Sequence, residues 1–177
     1  MPDAAGDRAQ VDIDIRIDAP HWEGAGKDAS LAAVRTAAEA ALADLAPGPG
    51  TWELSILLTA DAAIAELNRD WRGKDGPTNV LSFPSDDDAP EAGGPPALLG
   101  DVIVAHETLA REAAAADIPF DDHLRHLVVH GVLHLLGYDH ENDAEAEEME
   151  ARETEILAGL GVPDPYAGSD PVKREAM

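Results

Sequence analysis

The run from Leu124 to His140, LRHLVVHGVLHLLGYDH, constrains this chain more than any other segment. Between Leu124 and Leu136 a helix would be apolar on nearly all sides, which puts it at the centre of a fold rather than on its surface. Into that helix the sequence sets His130 and His134, one turn apart on the same face. Gly137 then stands where a helix ends in a left-handed residue, which glycine adopts without a Cβ penalty, and the reversal carries His140 back toward the other two. A buried helix is a rigid platform, and H-x3-H-x5-H spacing on it has the shape of a three-histidine metal site.

Zinc takes neutral imidazole nitrogens in a tetrahedral shell and, in catalytic sites, keeps a fourth position for water. Three protein ligands with no fourth in the motif therefore point to one catalytic Zn2+ per chain. The histidines and glycine match the metzincin pattern H-E-x-x-H-x-x-G-x-x-H, but Gly131 stands where those proteases carry the glutamate that takes the proton from zinc-bound water. That disfavours a zinc peptidase and leaves metal-assisted hydrolysis, because a metal lowers the pKa of its water without help from a neighbouring carboxylate. Two core histidines on an apolar helix is the plainer reading of His130 and His134, and it leaves the third histidine and the glycine unexplained.

Two long segments, His126 to His140 (HLVVHGVLHLLGYDH) and Leu67 to Pro84 (LNRDWRGKDGPTNVLSFP), resemble the YbeY-type endoribonucleases, bacterial rRNA maturation factors. A weaker third segment, EAEEMEARETEIL from Glu145, and Leu99-Gly100-Asp101-Val102 extend the likeness over most of residues 55 to 157. The resemblance implies metal ligation by His130, His134 and His140 and a functional arginine at Arg72. It implies metal-dependent, single-strand-directed cleavage of RNA in small-subunit rRNA 3′-end processing and ribosome quality control. The implied partners are single-stranded RNA, the small ribosomal subunit and its assembly factors; DNA is not expected. Arg72 would neutralise the scissile phosphate and the charge that builds on it, a task suited to a planar, permanently charged guanidinium. Its plainer role is a loop salt bridge to Asp70 or Asp75, and Lys74 is a weaker candidate. Two other classes stay open: a zinc-dependent peptidase, if another carboxylate reaches the metal, and a non-catalytic ribosome assembly factor with a structural metal.

The net charge of -24 opposes an RNA substrate, since nucleic-acid binders draw affinity from lysine and arginine contacts. The distribution is uneven: acids gather at 86–91 and 139–155, while Arg69, Arg72 and Lys74 form the densest basic cluster. A divalent ion on three neutral imidazoles keeps its full charge, so a phosphate meeting it together with Arg72 is attracted locally. With no cysteine, neither disulfides nor thiolate ligands are available, and no run approaches the roughly 20 apolar residues that span a bilayer. A cytoplasmic protein without membrane contact is the expectation.

The 177 residues suit one domain with a real core. The pattern predicts an α/β (α+β) fold, a small mixed sheet of about four strands with helices around the central metal-bearing one. Val11–Ile17 alternates as a half-buried strand; a helix over Lys27–Ala46, capped by Ser30 or Asp28, stops at PGPG. Trp52–Thr59 is the next strand, and a helix capped by Thr59 or Asp61 reaches Trp71 before the RGKDGPTN loop and a strand at Val80–Phe83. The polar, broken stretch 84–98 reads as a mobile loop, ahead of a buried strand at Leu99–Ala105. Helices over Ala105–Asp117 and Asp121–Leu136 follow, then one from Asp143 to about Leu160 with Met149, Ile156 and Leu157 inward and a loosely ordered tail over 161–177.

Several polar residues take a structural reading. His123 is explained by exposure at a helix start, and His126, one turn before His130, needs no chemistry although it could reach and orient a carboxylate. Asp139, Glu141 and Asp143 read as a cap and a solvated acidic face, and Asp101 as a structural charge on its strand. Met149 reads as core, and nothing in the sequence points to His21 or His106.

Overall fold

The computed structural model describes residues 9–167. Four strands, β1 (Gln10–Ile17), β2 (Thr51–Thr59), β3 (Val80–Pro84) and β4 (Ala97–Ala105), form one sheet in the order β1-β2-β4-β3. β1 and β2 are parallel, as are β2 and β4, while β3 runs antiparallel to β4, so the sheet is mixed as expected. The helices are α1 (Lys27–Ala41), α2 (Asp61–Arg72), α3 (His106–Ala116), α4 (Phe120–Leu135) and α5 (Asp143–Gly159).

Alternation along the strands divides the interior. Leu54, Ile56 and Leu58 of β2 and Val102 and Val104 of β4 join α1, α4 and α5 in the main core, where Val34, Leu124, Val128, Val132 and Leu157 are fully buried. Each such aliphatic side chain contributes about 1.5–3 kcal/mol. The residues between them, with Leu81 of β3, face α2: Ile103 and Ala105 meet Ile64, and Leu57, Leu67 and Phe83 close the edge of this smaller cluster. α4 is central, as its sequence demands.

Helix ends depart from expectation because distant partners replace local caps. Gly26 precedes α1 without a side-chain cap, and Ser30 Oγ instead donates to Asp121 Oδ1 at 2.9 Å, tying α1 to α4. α1 stops at Ala41 and runs into a 3-10 turn at Leu42–Asp44. Asp61 does not cap α2; its Oδ1 accepts from Thr108 N at 3.0 Å in the first turn of α3, and Glu107 of α3 accepts from Asp61 N at 2.8 Å. The two helices cap each other. Within the stretch 84–98, Asp87 Oδ2 accepts from Leu98 N at 2.9 Å, and Pro90 is buried.

Of the tail expected over 161–177, residues 161–167 are described. Val162 is buried in the main core, and the Tyr166 hydroxyl hydrogen-bonds to Glu153. Apolar packing and that hydrogen bond hold the segment. Residues 168–177 lie outside the described residues.

Candidate metal centre

α4 ends as the glycine requires. Gly137 has φ 102°, Tyr138 N donates to Leu133 O at 3.0 Å and Gly137 N to His134 O at 3.1 Å, the paired bonds of a Schellman termination. Tyr138 then donates its hydroxyl to Asp44 at 3.2 Å, which anchors the turn and delivers His140 beside the helix. One ligand nitrogen from each of His130, His134 and His140 lies within 4.8 Å of the others. His130 and His134 approach to 3.1 Å between their Nε2 atoms. Two ligands on one tetrahedral zinc, with bonds of about 2.0–2.1 Å, stand roughly 3.3 Å apart, so the donor set fits a metal ion.

Protonation favours the same use. Burial, then the neighbouring His130 and His140, push the His134 imidazole down to about 4, so it is neutral at physiological pH with a lone pair to give. Beneath His130 lies Glu153 of α5, whose side chain is 0 % exposed. Burial alone would raise this carboxyl, but hydrogen bonds from His126 and His130 outweigh it and hold Glu153 well below the usual carboxylate range. An ionised carboxylate only accepts, so His130 must donate from Nδ1, and its Nε2 is left as the lone-pair nitrogen facing His134. His126 Nε2 lies 3.4 Å from the other oxygen of Glu153 and 3.2 Å from the Tyr166 hydroxyl. Burial and the charge of Glu153 push the Tyr166 phenol up, so it stays a donor to that carboxylate.

Glu153 and Tyr166 are the residues sequence reasoning missed. Glu153 falls four residues after Met149 and three before Ile156, on the buried stripe of α5, and a charge on an apolar stripe was the available signal. The exposure expected of His123 is also corrected: it is buried and meets Glu112 Oε1 at 2.9 Å, because α3 packs over the start of α4. His126, read as needing no chemistry, is 2 % exposed with its edge on Glu153. Glu141 and Asp143 are exposed and Asp139 is half-buried, and the cap of α5 is Asn142, which accepts from Glu145 N at 2.9 Å.

Gly131 has a packing reason of its own. A Cβ there would stand 2.8 Å from Val102 Cγ1 and 3.1 Å from Ser82 Oγ, so position 131 faces the sheet and has no room for a side chain. Ser82 Oγ donates to Gly131 O at 3.0 Å, which fixes β3 against the helix at the level of the histidines.

Arg72 closes α2 rather than lying in a loop, and Gly73, in the left-handed conformation, caps the helix after it. The buried Asn68 donates Nδ2 to Gly76 O at 3.0 Å and so pins the RGKDG turn to the helix. Among the described residues Arg72 is exposed and has no ion pair; its neighbour Arg69 takes Asp70 at 3.4 Å. Neither salt bridge weighed for Arg72 forms.

Residues 21–161 match the family described as Endoribonuclease YbeY. The Endoribonuclease YbeY of Paramagnetospirillum magneticum is 56% identical over 158 residues, covering 88% of this chain and 96% of that relative. Its counterpart in Jannaschia sp. is 52% identical over 163 residues, covering 88% and 100% respectively. The solution structure of TM1509 from Thermotoga maritima superposes with a TM-score of 0.56 at 26% identity, over 90% of this chain and 98% of that one. Among the described residues no helix is long and apolar enough to cross a membrane.

Proposed function

The chain belongs to the Endoribonuclease YbeY family, and from that premise we propose that it is a zinc-dependent endoribonuclease acting on single-stranded rRNA, at the small-subunit 3′ end and in ribosome quality control. The observation that carries the metal dependence is the convergence of His130, His134 and His140 within 4.8 Å, two of them on one buried helix. Zinc is the ion that best suits three neutral imidazoles and no thiolate. When bound, it supplies Lewis acidity for phosphodiester hydrolysis.

The protein's own residues do the rest. Glu153 holds the His130 ring in one orientation and one tautomer, and His126 and Tyr166 hold Glu153. Arg72, exposed and without an ion pair among the described residues, neutralises charge on the phosphoryl oxygens. A peptidase finds less support: Gly131 admits no side chain, and Glu153 is engaged by two imidazoles and a phenol. The partners in this reading are rRNA and the small subunit with its assembly factors, and the compartment is the cytoplasm.

The test pairs metal content with cleavage. Purified, nuclease-free wild type should bind one zinc per chain and cut single-stranded RNA in preference to duplex. His134→Ala should lose both metal and cleavage; Arg72→Ala should keep the metal and lose about 10²–10³ in kcat. Equal cleavage by all three proteins would identify a contaminating nuclease and favour a non-catalytic assembly factor.

A further inference from the structure

Trp71 is 73 % exposed, whereas Ile118, the other exposed large hydrophobic residue among those described, is 38 % exposed. It continues the stripe of Ile64 and Leu67 on α2, which packs under the sheet, but it overshoots the cluster and meets one ring, Phe83, edge-on at 6.3 Å. Burial therefore does not account for an indole here. Next to it in the turn and cap stand Arg72 and Lys74, together with Arg69, which is paired with Asp70 at 3.4 Å, in a chain with 12 Lys+Arg against 36 Asp+Glu. An exposed aromatic face among cations is the combination that holds single-stranded nucleic acid, by base stacking and charge together.

Its place relative to the histidines follows from the sheet. Phe83, which touches Trp71, is the neighbour of Ser82, and Ser82 is hydrogen-bonded to the carbonyl of Gly131. Gly131 directly follows His130 on α4. Trp71 thus packs on the α2 side of β3, with α4 against the other side, and it is next in sequence to the guanidinium assigned to the phosphate.

We propose that Trp71 is the stacking platform for one unpaired base of the RNA, beside the phosphate held by Arg72; this rests on the endoribonuclease reading above. A stacking face is open to every base, so the platform tolerates sequence, and it is closed to bases already stacked in a duplex. Trp71 therefore supplies part of the single-strand preference.

Steady-state cleavage of a single-stranded RNA oligomer tests this with wild type, Trp71→Ala, Trp71→Phe and His134→Ala, each repeated on oligomers in which one abasic nucleotide is walked along the strand. Trp71→Ala should raise KM about tenfold with a much smaller change in kcat, and Trp71→Phe should recover most of the loss. At one position the abasic nucleotide should raise the wild-type KM by the same factor and leave Trp71→Ala unaffected. Wild-type KM in Trp71→Ala, or no coupled abasic position, overturns the platform while leaving the endoribonuclease reading intact. Absence of cleavage by wild type, or undiminished cleavage by His134→Ala, overturns that reading and the platform with it.

Discussion

One buried carboxylate decides how His130 presents itself to the other two histidines. Glu153 has no exposed surface, remains ionised because His126 and His130 hydrogen-bond to it, and so fixes which nitrogen of His130 carries the proton. Glu153→Gln keeps the shape but replaces an ionised acceptor with a neutral amide whose NH2 cannot accept from His130. The expected result is a fall of about ten- to hundredfold in zinc affinity with the fold intact, measured by competition against a chelator of known affinity. Unchanged affinity would reduce Glu153 to a packing residue. At this scale the sequence was most legible where chemistry needs a fixed spacing: the convergence of His130, His134 and His140 was readable from spacing and glycine alone. Glu153 and Tyr166 were not, since each acts through contacts with α4 across 23 to 40 positions of chain, and no spacing rule encodes such a contact.

Between elements, the turn that carries His140 is held by a clamp. Arg152 of α5 binds Asp44 through two nitrogens, one at 2.7 Å, and Tyr138 donates to the same carboxylate. The hydrogen bond from Arg152 comes first in holding the Asp44 carboxyl below its ordinary 3.8. A depressed carboxyl contributes stability that is fully present above the unfolded value and is lost as pH falls through the folded one. Arg152→Ala should therefore destabilise the protein by about 1 kcal/mol at neutral pH, the strength of a charge-assisted pair reduced by water's access. The gap from wild type should narrow between pH 7 and pH 3, read from urea midpoints; a gap that stays constant would mean lost packing rather than lost charge. Strands and helices were legible because their periods are local, and both the all-round apolar α4 and the alternating β1 lie where the pattern put them. Their ends were less so: Ser30 and Asp61 have the chemistry of local caps, yet Asp121 and Thr108, far along the chain, claim them.

For the molecule as a whole, a mixed four-stranded sheet was legible but its order was not, since pairing β2 with β4 and setting β3 outside is a choice among long-range contacts. That order puts β3 at an edge, with α4 against one face of it and the end of α2 against the other. The basic cluster at the end of α2 is where a chain of charge -24 has cations to offer a polyanion. If Arg69, Arg72 and Lys74 are the cations that meet phosphate, about three contacts on a single strand give a slope near -2 for log affinity against log salt concentration. The repulsive remainder of the surface sets the absolute affinity low but adds no released counterions, so it leaves that slope shallow. Fluorescence anisotropy of a labelled single-stranded RNA across a salt series measures it. A slope of about -5 or steeper would require a larger basic footprint than this turn offers, and therefore a second RNA-binding face. A slope near zero would remove the basic turn from the interface and leave the metal centre to hold RNA alone.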